Sequence, residues 1–251
     1  MISSVRCFIP VLLCIALLVA CSPKAVQPLS RSEKADVKKY RSMVSTNDGC
    51  YHILITTPKG NMVVKLLNET PLHRDNFVKL VQRRFYDSLL FHRVINNFMI
   101  QGGDPDSKHA ADTAKLGNGE VADVGRIPAE FRLDKSIYHT RGALAAARDN
   151  NPEKASSNCQ FYIVHRMPWR PAQLDSHIVQ RKLTLNAEQK KLYTTVGGAP
   201  HLDGNYTVFG HLEIGYDVLD SIATTKTKPG DRPVADIRMK MYLLSKPKLK
   251  K

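Results

Sequence analysis

A mainly β fold, closing into an antiparallel barrel, is what the sequence predicts for most of this chain, and three observations predict it. Short runs of β-branched and aromatic residues dominate: YHILITT (51–57), MVVKLLN (62–68), LLFHRVI (89–95), MIQGG (99–103), CQFYIVH (159–165) and TVFGHLE (207–213). Pro58, Lys59 and Gly60 punctuate the first two runs as a tight turn, so the pair reads as a hairpin. Few helical patterns compete with them, and many short strands with few helices favour a closed antiparallel barrel. Residues 49–245 contain no internal repeat and are numerous enough for one substantial hydrophobic core.

The leader, residues 1–20, carries a positive charge at Arg6 followed by the uncharged apolar run Val11–Ala20, the pattern of a secretory signal. Ser22, Pro23 and Lys24 interrupt it too soon for a spanning helix, which needs about 20 apolar residues. Leu18, Val19, Ala20 and Cys21 resemble a bacterial lipobox, in which the cysteine sulfur receives diacylglycerol. An ordinary signal peptide with a coincidental cysteine, or an uncut hydrophobic anchor, would leave the same pattern. Residues 21–48 are rich in Ser, Lys and Pro and read as a lipidated cysteine on a flexible or weakly helical tether. Residues 246–251 form a basic tail. The compartment expected is the bacterial envelope, with the domain lipid-anchored and facing the periplasm, the outer membrane being one residence for it.

Of the helices, Thr70 caps one and Pro71 suits its first turn, while Phe77, Leu80 and Val81 share its buried face. Residues 215–223 offer a second. Between about 166 and 200, MPWRPAQLDSH is proline-punctuated and irregular, whereas LNAEQKKLYTTVGG reads as a short helix capped by Asn186 and ended by Gly197 and Gly198.

Composition narrows the chemistry. Five cysteines include Cys7 and Cys14 in the leader and Cys21 at its end, so the folded part keeps Cys50 and Cys159, which is no disulfide framework. The net charge of +14 suits nucleic acid, anionic lipid or acidic clients in principle. The basic residues are scattered, however, and no nucleic-acid motif accompanies them, so a solvated basic surface near a membrane is the reading adopted and an anionic-polymer binder rests on charge alone. The histidines show no H-x-x-x-H helix or cysteine-rich partner, and the glycines of LGNGEVADVG lack a strand-to-helix context. Neither a metal nor a cofactor is expected.

The informative segment is FHRVINNFMIQGGD, residues 91–104, followed in order by RGALAAAR (141–148), SSNCQFYIV (156–164) and HLDGNYTVFG (201–210). These four blocks closely resemble the signature of cyclophilins. The resemblance covers about residues 51–244, interrupted by the 166–200 insertion. It implies a closed eight-stranded antiparallel barrel capped by two helices, and peptidyl-prolyl cis/trans isomerase activity on X-Pro segments of unfolded or exported proteins, by a chain expected to act as a monomer. By matching position, Arg93, Phe98 and Gln101 are the catalytic set, with Gln101 anchoring Arg93 or a substrate carbonyl. Met99, Tyr162 and Leu202 join Phe98 as apolar walls, Ala147, Arg148 and Gln160 line an adjoining peptide groove, and His201 and Tyr206 complete the substrate contacts. The position of the insertion, immediately before His201, leaves two readings of it: a lip over that groove that narrows client choice, or a decorative surface excursion. Cys159, beside Gln160, invites a thiol-nucleophile reading, but the resemblance places a small packed residue there. A proline-binding module or chaperone without turnover remains the alternative.

Three positions depart from many relatives: Tyr162 where phenylalanine stands, His201 where tryptophan stands and Tyr206 where histidine stands. Trp169, the only tryptophan, falls in the insertion and does not replace the one missing at His201. Weak cyclosporin sensitivity is therefore expected; an inhibition assay on the purified domain should give constants above the nanomolar range, and nanomolar inhibition would contradict this reading of His201.

Overall fold

The computed structural model describes residues 28–45, 48–122 and 124–245. The predicted leader, Cys21 and the basic tail lie outside them. Eight antiparallel strands form one curled sheet: β1 (His52–Thr57), β2 (Gly60–Leu66), β3 (Arg93–Ile95), β4 (Met99–Gly102), β5 (Ala143–Ala146), β6 (Phe161–Val164), β7 (Val208–Ile214) and β8 (Lys240–Ser245). Their order across the sheet is β3-β4-β6-β5-β7-β2-β1-β8. The hairpin expected from the Pro-Lys-Gly turn is β1–β2, in register from His52 opposite Lys65 to Thr57 opposite Gly60.

The barrel expected from the pattern is not closed by a strand ladder; the sheet is curled and open between β3 and β8. β3 has only three residues, and the segment before it is diverted, the Leu90 N–H donating to Ser107 Oγ at 3.1 Å. The gap is spanned by one isolated bridge, Leu90 with Arg238, and by single backbone bonds such as Phe91 N–H to Ile237 O (2.9 Å) and Val94 N–H to Asp231 O (2.8 Å).

Among the described residues five α-helices accompany the sheet, where two caps and a short helix in the insertion were expected: α1 (Arg31–Arg41), α2 (Pro71–Gln82), α3 (Pro171–Arg181), α4 (Ala187–Thr195) and α5 (Tyr216–Ala223). The two anticipated caps are α2 and α5. Phe77, Val78, Leu80 and Val81 from α2 and Val218, Leu219, Ile222 and Ala223 from α5 enter the main core with Val94, Ile100, Leu144, Ala146, Phe161, Ile163 and Phe209 of the sheet. Thr70 does not cap α2 with its side chain. Glu130 does so instead: its carboxylate accepts from Leu72 N (3.1 Å), His73 N (3.0 Å) and His73 Nδ1 (2.7 Å), answering the free N–H groups of a helix start. His73 Nε2 lies 2.9 Å from Ser156 Oγ, and burial lowers the ring's pKa against the pull of Glu130.

Of the two readings of the tether, flexible or weakly helical, residues 31–41 take the helical one. Ser30 Oγ accepts from Glu33 N (3.2 Å) while Glu33 Oε2 accepts from Ser30 N (2.8 Å), a reciprocal cap that starts α1. Leu29, Val37, Tyr40 and Val44 pack on Leu54, Val63, Tyr242 and Leu244, so α1 covers an otherwise exposed patch of β1, β2 and β8. Glu33 takes hydrogen bonds from Lys240 Nζ (2.8 Å) and Tyr242 Oη (2.6 Å), which hold its carboxyl well below the usual range, Lys240 contributing most.

The insertion is more regular than MPWRPAQLDSH suggested. Pro171 occupies the first turn of α3, where a missing N–H costs nothing. Asn186 caps α4 through a box with Gln189, as the spacing predicts. Leu174 and Tyr193 pack with Tyr138 of the main body, flanked by Trp169, Ile178, Leu185 and Leu192, as a small core of their own. Gly197 ends the excursion with φ +91°, and a Cβ there would stand 2.3 Å from the Arg166 carbonyl oxygen; only glycine lets the insertion leave and rejoin the body at one point.

Candidate active site

Side-chain alternation along β3, β4, β5 and β6 divides the sheet into two faces. Val94, Ile100, Ile163 and Leu144 belong to the main core, whereas Met99, Tyr162, Ala143, Ala145 and Val164 form a second cluster with Leu202 and Val208. On this second face the register sets Arg93 opposite Gln101, Gln101 opposite Tyr162 and Tyr162 opposite Ala145, one row across four strands. One row along, Met99 lies opposite Val164.

A cavity of about 150 Å³ opens over this row. Arg93, Gln101 and Arg148 supply its polar edge, and Phe98, Met99, Ala147, Tyr162, Leu202 and Tyr206 its remaining walls. Nine of the eleven residues proposed from sequence for catalysis or substrate contact thus converge on one space. Met99, Tyr162 and Leu202 are buried; the Arg93 side chain is 44% exposed, with Nε 3.5 Å from Asp231 Oδ2. The Gln101 amide does not hydrogen-bond Arg93, its neighbour across the ladder. It donates instead to Gln160 Oε1 at 3.2 Å, and Gln160 Nε2 donates to the Gly119 carbonyl at 2.9 Å. Arg148 is pinned by Nε to Asn205 O (2.8 Å) and Nη1 to Asp149 O (2.7 Å), with its guanidinium 4.7 Å from the centre of the Tyr206 ring. Its role there is that of a wall.

Two of the eleven fall outside this cavity. Gln160 lines an adjoining space of about 420 Å³ with Gln101, Ala147 and Arg148. His201 stands behind Phe98, ring centres 5.7 Å apart, and its Nδ1 lies 3.3 Å from His177 Nε2 of α3. Burial, assisted by the neighbouring His177 and Arg181, lowers the His201 pKa to about 4, so the ring is an uncharged support for Phe98 at neutral pH. Residues 166–199 of the insertion are not among those lining this cavity. Cys159 is 3% exposed and its thiol is pushed up to about 12 by burial, which removes the thiolate a nucleophile requires. Cys50 and Cys159 are both free thiols.

Asp203, within the HLDGNYTVFG block, was not singled out from sequence, yet it joins the insertion to the site. Its Oδ1 accepts from His139 N and Nδ1, both at 2.9 Å, and its Oδ2 from Tyr193 Oη at 2.6 Å and Gln189 Nε2 at 3.4 Å. His139 in turn stacks on Tyr162, with ring centres 6.1 Å apart and planes 16° apart. Tyr193 is fully buried, and burial together with the Asp203 carboxylate keeps its hydroxyl protonated. Helix α4 therefore holds the turn that carries Leu202 and the imidazole that backs Tyr162.

A family model for cyclophilin type peptidyl-prolyl cis-trans isomerase/CLD matches residues 52–242. The chain belongs to this cyclophilin family. Proteins named as peptidyl-prolyl cis-trans isomerases in Staphylococcus saprophyticus and Staphylococcus aureus are each 36% identical over 186 residues, spanning 74% of this chain and 87% of theirs. Among solved structures, a cyclophilin type peptidyl-prolyl cis-trans isomerase of Cryptosporidium parvum superposes with a TM-score of 0.57 at 23% identity, covering 79% of this chain and 99% of its own. Its structure in the presence of the dipeptide Ala-Pro gives 0.56 at 23% identity, covering 76% and 98%. This cyclophilin is accordingly a peptidyl-prolyl cis-trans isomerase by family, with the fold shared across distant members.

Removing the link through Asp203 tests how much the cyclophilin's insertion supports its pocket. Tyr193→Phe deletes one buried hydrogen bond to a carboxylate, worth about 2 kcal/mol, and should raise KM for short X-Pro peptides about threefold, roughly 0.7 kcal/mol of that sum, with kcat little altered. Steady-state kinetics beside a thermal melt checks it: a lowered melting temperature with unchanged KM would mean that α4 stabilises the body without positioning Leu202 and Tyr162.

Proposed function

We propose that this isomerase accelerates proline-limited folding of exported proteins at the bacterial envelope, as a lipid-anchored monomer, with Arg93 stabilising the twisted prolyl amide. The reaction breaks no bond and needs no cofactor. Rotation about a peptide meets a barrier of about 18–20 kcal/mol, and X-Pro bonds exchange over tens to hundreds of seconds without help. Raising an uncatalysed rate of ~10⁻² s⁻¹ to a turnover of ~10³ s⁻¹ requires about 7 kcal/mol of transition-state stabilisation.

At the midpoint of rotation the prolyl nitrogen loses conjugation with its carbonyl and regains a lone pair. A guanidinium beside it then stabilises that state more than either planar ground state, which is the condition for catalysis. The observation that carries the reading is the register that sets Arg93 at the rim of a cavity walled by Phe98, Met99, Tyr162 and Leu202. The apolar walls suit a pyrrolidine ring, and the fork of Arg93 allows simultaneous contact with the nitrogen region and a substrate carbonyl. Gln101, tied to Gln160, offers an amide to the same chain. The Ala-Pro dipeptide present with the Cryptosporidium parvum protein supports an X-Pro ligand here.

NMR exchange on short X-Pro peptides tests the role of Arg93. Arg93→Ala should lower kcat/KM at least ~100-fold, about 2.7 kcal/mol, and Arg93→Lys should recover only part of it, because an ammonium lacks the planar fork. Equal rates for wild type and Arg93→Ala would instead favour a proline-binding module without turnover.

The envelope location rests on the leader and on Leu18–Cys21. Among the described residues no helix is long and apolar enough to cross a membrane. Mass spectrometry of the mature protein should find an N-terminal diacylated Cys21; an intact leader, or a free Cys21 thiol, would exclude the lipoprotein form.

A further inference from the structure

A second cavity, of about 810 Å³, abuts the proposed proline pocket and shares Arg93 and Gln101 with it. Its other walls are two loops, 112–118 and 228–232, together with His92. The loops bring Lys115, Lys228 and Arg232 to the same space as Arg93, against a single lining carboxylate, Asp112. Lys228 is paired with Asp112. Arg232, only 6% exposed, is clamped by both oxygens of Asp236 at 2.9 Å and donates to the Ala111 carbonyl at 2.8 Å, so it is a fixed part of the wall. Arg93 is held by Asp231 only at 3.5 Å, and exposed Lys115 has no ion-pair partner among the described residues. Of these four cations, Arg93 and Lys115 are the two least engaged.

His92 is 4% exposed and lies in this cavity's wall, and its ring makes no well-formed hydrogen bond, only a weak one with the Leu90 backbone. What lies over Nε2 is Gly117, where even an added Cβ would remain 3.8 Å away. Burial lowers the His92 pKa to about 4; Asp104 opposes this, and Arg93 and Arg232 reinforce it, so the ring is neutral and keeps one N–H. The other space beside the pocket differs in charge: Arg126 is matched there by Asp149 at 2.6 Å, and Glu120 is in its lining as well as Arg148.

We propose that the cavity between loops 112–118 and 228–232 is a substrate subsite that receives an acidic side chain of the polypeptide whose proline occupies the neighbouring pocket. The proposal rests on the proline-pocket reading above. Because Arg93 belongs to both walls, the acidic residue must lie within a few positions of the proline. Clients with Asp or Glu near a proline would be selected by an attraction additional to the fit of the ring, and bringing a carboxylate to Lys115 and Arg93 is the step that selects them.

The test uses short Ala-Pro peptides with Glu, Gln or Lys two or three residues to either side of the proline, titrated calorimetrically into the wild-type protein. The best-placed Glu peptide should bind about fivefold more tightly than its Gln counterpart, the yield of one or two half-exposed ion pairs, and the ratio should shrink toward one in high salt. Lys115→Gln should reduce that Glu-to-Gln ratio and Lys115→Glu should invert it; a ratio of one in the wild type, or one unmoved in both variants, overturns the proposal. Tight binding of an acidic peptide that lacks proline, as strong as that of the proline peptide, also overturns it, since the two cavities would not then act on one chain. NMR exchange on the Gln peptide keeps the two readings apart: absent turnover with an intact Glu preference defeats the catalytic reading alone, and equal turnover and affinity for every peptide defeats the subsite alone.

Discussion

The register of β4 against its two neighbours is the constraint from which the rest follows. With side chains alternating at period two, a slip of β4 by one residue would turn Gln101 into the apolar core and Ile100 out of it. Both outcomes are costly. An amide would be buried among aliphatic side chains, and a large aliphatic side chain would lose its burial at about 2 kcal/mol. Burial of the core face therefore holds the pocket face in place, and aligns Gln101 with Arg93 and Tyr162.

The wall opposite β3 has a different origin. Leu202 and Tyr206 lie on a turn outside the ladder, and their placement depends on Asp203, whose two oxygens are shared between His139 of the body and Tyr193 and Gln189 of α4. A nearly buried carboxylate is tolerable only when its oxygens are well supplied with donors, and the insertion provides half of them. This gives 166–200 a physical role in supporting the pocket. It completes a polar network under the pocket, while Trp169, His177 and His201 continue the contact toward Phe98 as a row of rings. The pocket is bounded on one side by strand pairing and on the other by a network that includes the inserted helices.

Much of this was legible in the residues. The hairpin, α2 and α5 could be read from turn chemistry and from spacings of three and four, and four sequence blocks contained all nine residues that line the cavity. What escaped has identifiable causes. β5 is ALAA, with small side chains that carry no alternation signal, and β8 follows a segment broken by Pro233. Helix α1 was hidden by its overall polarity, although Ser30 and Glu33 spell a capping box and Val37, Tyr40 and Val44 recur at three and four. Asp203, Tyr193 and Glu130 were missed because their meaning depends on partners between 10 and 64 residues away. The open edge between β3 and β8 was missed because strand counting says nothing about where Leu90 sends its N–H.

The exposure of Arg93 bears on how the chemistry is apportioned. A guanidinium buried in the free protein would need a permanent counter-ion, and a close, dry ion pair would spend on the ground state the attraction wanted at mid-rotation. At 44% exposure, with Asp231 no nearer than 3.5 Å, Arg93 stays solvated until a chain displaces the water around it. On the role proposed for Arg93, a proline filling the cavity walled by Phe98, Tyr162 and Leu202 would exclude that water, so the field of the cation would strengthen only when a prolyl amide is there to feel it. A reaction requiring about 7 kcal/mol is within reach of such an arrangement. Holding Arg93 loosely is thus compatible with catalysis, and it leaves the same side chain free to meet an oxygen ligand from the basic cavity on its other side.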